Sequence, residues 1–101
     1  MGESAVKTVD LARIGEVVSD SMGINKTKIY GKSRIMDVAL ARQLAMYLSR
    51  ETTNNSLGGI GKHFGGRDHS TVIHACKIIE EKLKKDGHLS KIVDEIKSKL
   101  E

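Results

Sequence analysis

Proline and tryptophan are absent from this chain of 101 residues, and only Tyr30, Tyr47 and Phe64 are aromatic. Without proline no helix is broken by a residue lacking an amide donor, and with so few aromatics a core has to be assembled from Leu, Ile, Val, Ala and Met. Alternation of β-branched with polar residues is also scarce, which argues against strands. One cysteine, Cys76, excludes an internal disulfide and suits a reducing compartment. No apolar run approaches the ~18 residues of a membrane span. The opening Met1-Gly2-Glu3-Ser4-Ala5-Val6 has neither the charged nor the apolar region of a signal peptide, and Val6 stands where a myristoylation signal needs Ser or Thr. These absences lead us to expect a cytoplasmic, single-domain, all-α protein over residues 1–101.

What is present is helical periodicity, five times over. Leu11, Ile14, Val18 and Met22 form one stripe, with Thr8 placed to cap it and Gly23 to end it. Val38, Ala41, Leu44, Ala45 and Leu48 form a second, opened by Asp37 as expected N-cap. Leu57, Ile60 and Phe64 make a short third helix between Ser56 and Gly65-Gly66. Val72, Cys76, Ile79 and Leu83 make a fourth, capped by Asp68 and stopped near Asp86-Gly87. Leu89, Ile92, Val93, Ile96 and Leu100 make the last. A further helical turn is expected around Lys26–Tyr30, giving a compact domain of five to six helices. All five stripes can be used internally, so the isolated domain is expected to be a monomer.

Positive charge is concentrated in the middle of the chain. The net charge is +4, but residues 1–25 carry −2, residues 26–50 carry +5, and residues 78–101 balance. Lys26, Lys28, Lys32 and Arg34 make residues 26–36 a basic loop, as a polyanionic partner requires. An ordinary solvated surface has the same look, so charge alone leaves both readings open.

The third and fourth helices, with the turn Gly65-Gly66-Arg67-Asp68 between them, make a helix-turn-helix over about residues 56–85. Such a motif puts the first turn of its second helix into the major groove of DNA. If Val72, Cys76, Ile79 and Leu83 face the core, the other face presents Ser70, Thr71, His74, Ala75 and Lys77. Asp68 suits an N-cap whether or not DNA is bound. Other chemistries fail on spacing. His63, His69, His74 and Cys76 match no zinc module. Gly59-Ile60-Gly61-Lys62 fails as a phosphate loop, because Ser56 replaces its first glycine and His63 its Ser or Thr. Cys76 reads as a small core residue and not a nucleophile. No enzyme activity is expected.

The run Gly65-Gly66-Arg67-Asp68-His69-Ser70-Thr71-Val72-Ile73-His74-Ala75-Cys76 resembles the signature of the C-terminal DNA-binding domain of the bacterial DnaA family of replication initiators. Ala41-Arg42-Gln43-Leu44-Ala45-Met46-Tyr47-Leu48 and Ser56-Leu57-Gly58-Gly59-Ile60-Gly61 match it too, and the resemblance covers roughly residues 8–100. It implies a Trp-repressor-like helical domain that binds double-stranded DNA at the short asymmetric DnaA box of replication origins, in the bacterial cytoplasm at the nucleoid. It implies no cofactor here, since the family's ATP site lies in a separate upstream domain outside this chain, and it leaves room for regulatory protein partners.

The roles it implies are specific. Arg34 enters the minor groove, and Asp68, His69, Ser70, Thr71 and Ala75 meet bases. Lys32, Arg42, Gln43, Arg50, Leu57, Arg67, His74 and Lys77 contact the backbone or groove edge, Leu57 through its main-chain N–H. There are departures. The family often has Arg-Pro-Arg-Gln where this chain has Leu40-Ala41-Arg42-Gln43, and its basic loop is usually richer than one holding Ser33, Ile35, Met36 and Asp37. Gly58-Gly59 replaces a common proline-containing helix start, and Ser70 a common Thr. Fewer phosphate contacts from the loop follow. Without the resemblance, a transcriptional regulator on another operator is the competing reading.

Overall fold

A computed structural model describes residues 9–101, which form six α-helices and no strand. They are α1 (Leu11–Met22), α2 (Lys26–Tyr30), α3 (Met36–Thr52), α4 (Leu57–His63), α5 (His69–Lys85) and α6 (Gly87–Leu100). The expected cap Thr8 lies outside the described residues. Within them the N-cap of α1 is Asp10, whose carboxylate accepts from the Arg13 amide at 2.7 Å. Gly23 ends the helix in the left-handed conformation, φ 66°. Asp86 terminates α5 and caps α6, its carboxylate accepting from the His88 and Leu89 amides at 3.0 and 3.1 Å. One residue thus turns the chain from one helix into the next.

One expected cap is corrected. Asp37 is not the N-cap of α3; Ile35 is, and it makes no side-chain capping bond. Asp37 sits in the first turn instead, where the helix dipole favours a carboxylate.

The central element is α3. Every residue from Leu44 to Ser49 is buried, so Met46 and Tyr47 join the core although no stripe contains them. A helix covered on all sides loses the amphipathic signature. Around α3 pack α1, α2, α4 and α5, while α6 folds back on α1 and α5. Phe64, Ile14, Ile29, Leu44, Leu48, Ile60, Val72, Ile79 and Ile96 are fully enclosed between them. No helix is long and apolar enough to cross a membrane among the described residues.

Three rings pin α4 to α2. Tyr30 stacks on Phe64 with centroids 5.4 Å apart and planes 6° apart, and His63 meets both edge-on. Tyr30 Oη lies 3.0 Å from His63 Nε2. Burial lowers the His63 pKa from its ordinary value, favouring the neutral ring that can accept from the tyrosine. A histidine depressed in the folded state releases its proton on folding. Its contribution is therefore complete above about pH 6.5 and lost as pH falls through the depressed value. Thermal melts should show Tm dropping as pH falls below about 6.5, with a shallower drop in His63→Gln; parallel profiles in the two proteins would show that His63 is not the source of the drop.

Candidate nucleic-acid interface

The turn between α4 and α5 is built from close backbone approaches. Gly65 and Gly66 both take positive φ, 99° and 73°, which an L side chain adopts only with strain. The Gly66 amide donates to the Lys62 carbonyl at 3.1 Å, and the Arg67 amide to the Gly61 carbonyl at 2.8 Å. Gly61 is buried against that turn, and a methyl there would overlap the Arg67 carbonyl. The two helices are held at one fixed angle as a result.

Asp68 starts α5. Its Oδ1 accepts from the Thr71 amide at 3.1 Å and the Thr71 hydroxyl at 3.2 Å. The Thr71 amide, then its hydroxyl, hold the carboxyl below its usual range, so it stays ionised at neutral pH. His69, Ser70 and Thr71 follow on the exposed first turn, with His74 and Lys77 exposed beyond them. Of the residues expected to meet bases, Asp68, His69, Ser70 and Thr71 therefore share one accessible helix start.

Ala75 does not stand beside them in the open. It is 2% exposed, because it lies three residues from Val72 and four from Ile79 and so shares their inward stripe. It forms the floor of an open notch of about 110 Å³ whose walls are Arg42, Gln43, Arg67, Thr71 and His74. The expectation that Ala75 lies on the face opposite the core is corrected accordingly.

Three arginines expected at the DNA backbone are engaged with the protein's own groups, Arg42 and Arg67 in buried or part-buried bonds and Arg50 in exposed ion pairs. Arg42, 7% exposed, donates from Nε to the Ile29 carbonyl at 2.7 Å, and from its terminal nitrogens to Lys28 and Ser33 carbonyls at 2.9 and 3.0 Å. Burial, then the nearby Arg67, lowers its pKa from that of a free arginine. Arg67 donates to the Phe64 carbonyl and, at 2.7 Å, to the Gly31 carbonyl. Arg50 pairs with Glu80 at 2.6 Å and Glu51 at 3.0 Å and lies 5.8 Å from the Tyr47 ring centre. The bonds to Glu80, then Glu51, raise its pKa. Charge counted along a sequence cannot distinguish these fastened guanidiniums from free ones. Arg42 meets the carbonyls of Lys28 and Ile29 in the last turn of α2 and that of Ser33 in the loop beyond it, acceptors that no count of charge along the chain reveals.

The fastenings bring two expected regions together. Arg67 ties the helix-turn-helix to Gly31, and Arg42 ties α3 to Ser33, so the basic loop lies against the start of α5. Lys32 and Arg34 are exposed on that loop and make no ion pair with the described residues. Leu57 opens α4 with its side chain packed on the core, and Gln43 is half-buried on α3. Sequence reasoning noted Ile35 and Met36 only as departures from a basic loop and gave them no role; they are 63% and 82% exposed beside Arg34. Among the described residues no three His, Cys, Asp or Glu converge to hold a metal ion.

Comparison with known proteins adds the relationship. Residues 11–79 match the sequence model of the family described as "Bacterial dnaA protein helix-turn-helix". The chain is 46% identical over 97 residues to the chromosomal replication initiator protein DnaA of Mycoplasma capricolum, covering 96% of this chain and 22% of that protein. It is 45% identical over 96 residues to that of Limosilactobacillus reuteri, covering 95% and 22%. Against that of Chlorobaculum tepidum it is 42% identical over 95 residues, covering 94% and 19%. The chain spans about a fifth of the length of these relatives.

Proposed function

The chain belongs to the bacterial DnaA helix-turn-helix family, and from that premise we propose that it binds one asymmetric DnaA box in double-stranded DNA, as a monomer, during initiation of chromosome replication. The single observation that carries this reading is the Arg67 bridge. It sets the exposed start of α5 beside the exposed basic loop, so one face offers a helix for the major groove and Arg34 for the adjoining minor groove.

Roles follow from exposure. His69, Ser70 and Thr71 meet base edges, with the second oxygen of Asp68 left to accept from a cytosine amino group. Ala75, at the floor of the notch, meets a thymine methyl only if the duplex seats deeply between Thr71 and His74. Lys32 and Lys77 neutralise phosphates, and Gln43 and His74 line the groove edge. Arg42, Arg50 and Arg67 act mainly by holding these groups in place. The domain itself performs no catalytic step and binds no nucleotide; ATP belongs to another part of the full-length proteins. Its place is the bacterial cytoplasm, at the nucleoid.

The test separates base contacts from phosphate contacts. His69→Ala or Thr71→Ala should narrow the preference for a DnaA box over a single mismatch, since a good base contact carries about 1–3 kcal/mol of discrimination. Lys32→Ala should weaken box and random duplex alike and reduce the salt slope by roughly one. Binding to box, mismatched and scrambled duplexes over a salt series distinguishes the two patterns. Uniform loss in the His69 and Thr71 variants would mean that α5 does not read bases through them. Equal wild-type affinity for box and scrambled duplex would point to another operator.

A further inference from the structure

We propose that Ile35 and Met36 form an apolar ledge that packs on the deoxyribose wall of the minor groove entered by Arg34, giving this chain affinity that salt does not titrate. The inference rests on the DNA-binding reading above and adds an apolar contact to it.

The ledge is anomalous as ordinary surface. Ile35 and Met36 are adjacent and 63% and 82% exposed, while the next most exposed large apolar residue among those described, Ile73, is at 38%. Nor does helix formation explain them. Ile35 occupies the N-cap of α3 without a side-chain bond, a position that Ser, Thr, Asp or Asn would serve better. Adjacent exposed hydrophobes rimmed by charge mark a contact surface.

The ledge is also held rigidly on the proposed binding face. Arg42 fixes the Ser33 carbonyl, Ser33 Oγ accepts from the Ile35 amide at 3.3 Å, and the Ile35 carbonyl accepts from the Ala39 amide at 2.8 Å. Met36 borders an open hollow whose lining includes Arg34, Asp37 and Gln43 and, from α5, Ile78 and Lys82; Gln43 also lines the notch beneath Thr71 and His74. Ledge and recognition turn therefore share one surface of α3 and α5.

The chemistry selects the occupant. Lys32 and Arg34 beside the ledge attract phosphates, and between phosphates a minor groove presents C–H surfaces of deoxyribose. Proteins that enter minor grooves use Ile, Leu or Met as apolar contacts at base steps, and the unbranched thioether of Met adapts equally to the irregular C–H wall beside them. A second copy of the chain is a poorer fit, because two side chains fall far short of the roughly 1,000 Å² that a stable protein interface buries.

The double variant Ile35→Ala, Met36→Ala should melt like the wild type, since neither side chain supports the fold. Its affinity for a DnaA-box duplex should fall roughly tenfold, as expected for losing one or two partly buried apolar side chains. The salt slope should be unchanged, and hydroxyl-radical cleavage should lose protection at the sugars on the minor-groove edge nearest Arg34. Met36→Lys should instead steepen the slope by about one. Unchanged affinity and footprint in the double variant would overturn the proposal, as would a shallower salt slope. A wild-type dimer in light scattering that the double variant abolishes would overturn it in favour of self-association. Failure of the wild-type chain to bind any duplex would overturn the functional reading along with it.

Discussion

Gly61→Ala should destabilise the domain by about 3 kcal/mol or more and abolish selective DNA binding, although helix propensity alone predicts a gain of about 1 kcal/mol. The added methyl would overlap the Arg67 carbonyl oxygen, standing 2.9 Å from its carbon and 3.1 Å from the Asp68 carbonyl oxygen. Backbone on both sides has to move, and the backbone that moves is the turn that aims α5. The Arg67 amide would also lose its 2.8 Å bond to the Gly61 carbonyl. Gly58, with nothing within 4 Å of the equivalent methyl, provides the control on the same helix. Gly58→Ala should be neutral or slightly stabilising in urea melts. Equal behaviour of the two variants would mean that α4 and the turn are not in this contact.

Val72→Asp should leave the chain unfolded at neutral pH. Val72 is fully buried on the inward stripe of α5 with Cys76 and Ile79, within the hydrophobic core cluster. An unpaired buried charge costs several kcal/mol, comparable with the ~5–15 kcal/mol that holds a whole domain together. Acid should return part of the structure, because the protonated carboxyl is cheaper to bury. Circular dichroism at pH 7 and pH 4 reads both effects. Ser70→Asp, two residues away on the exposed face, should keep its helicity and lose only binding to duplex. Native helicity of Val72→Asp at pH 7 would show that α5 is rotated from the orientation described.

The contrast between Val72 and Ser70 was legible in the sequence. So were the boundaries of α5, because a 3.6-residue stripe, an Asp at one end and a turn at the other are local signals. Ser56 as the cap of α4 follows the same rule, its hydroxyl accepting from the Gly59 amide at 3.0 Å. Asp37 was misplaced because the chain before it is extended and held by Ser33 and Arg42, so the helix begins one residue earlier than its best capping side chain. Ala75 was misplaced because alanine is small enough for either face and carries little periodic signal of its own.

By itself, then, the sequence determined the helical class, the helix-turn-helix and the family resemblance, since each rests on residues close together along the chain. Only the tertiary structure decided what the arginines do. Arg42 reaches carbonyls 9 to 14 residues away, Arg67 one 36 residues away, and Arg50 a carboxylate 30 residues away. A guanidinium looks the same in a sequence whether it awaits a phosphate or satisfies helix-end carbonyls, and which it does depends on acceptors that folding alone brings within 3 Å. The same fastening holds Ile35 and Met36 out beside Arg34, on a face no local pattern could have marked.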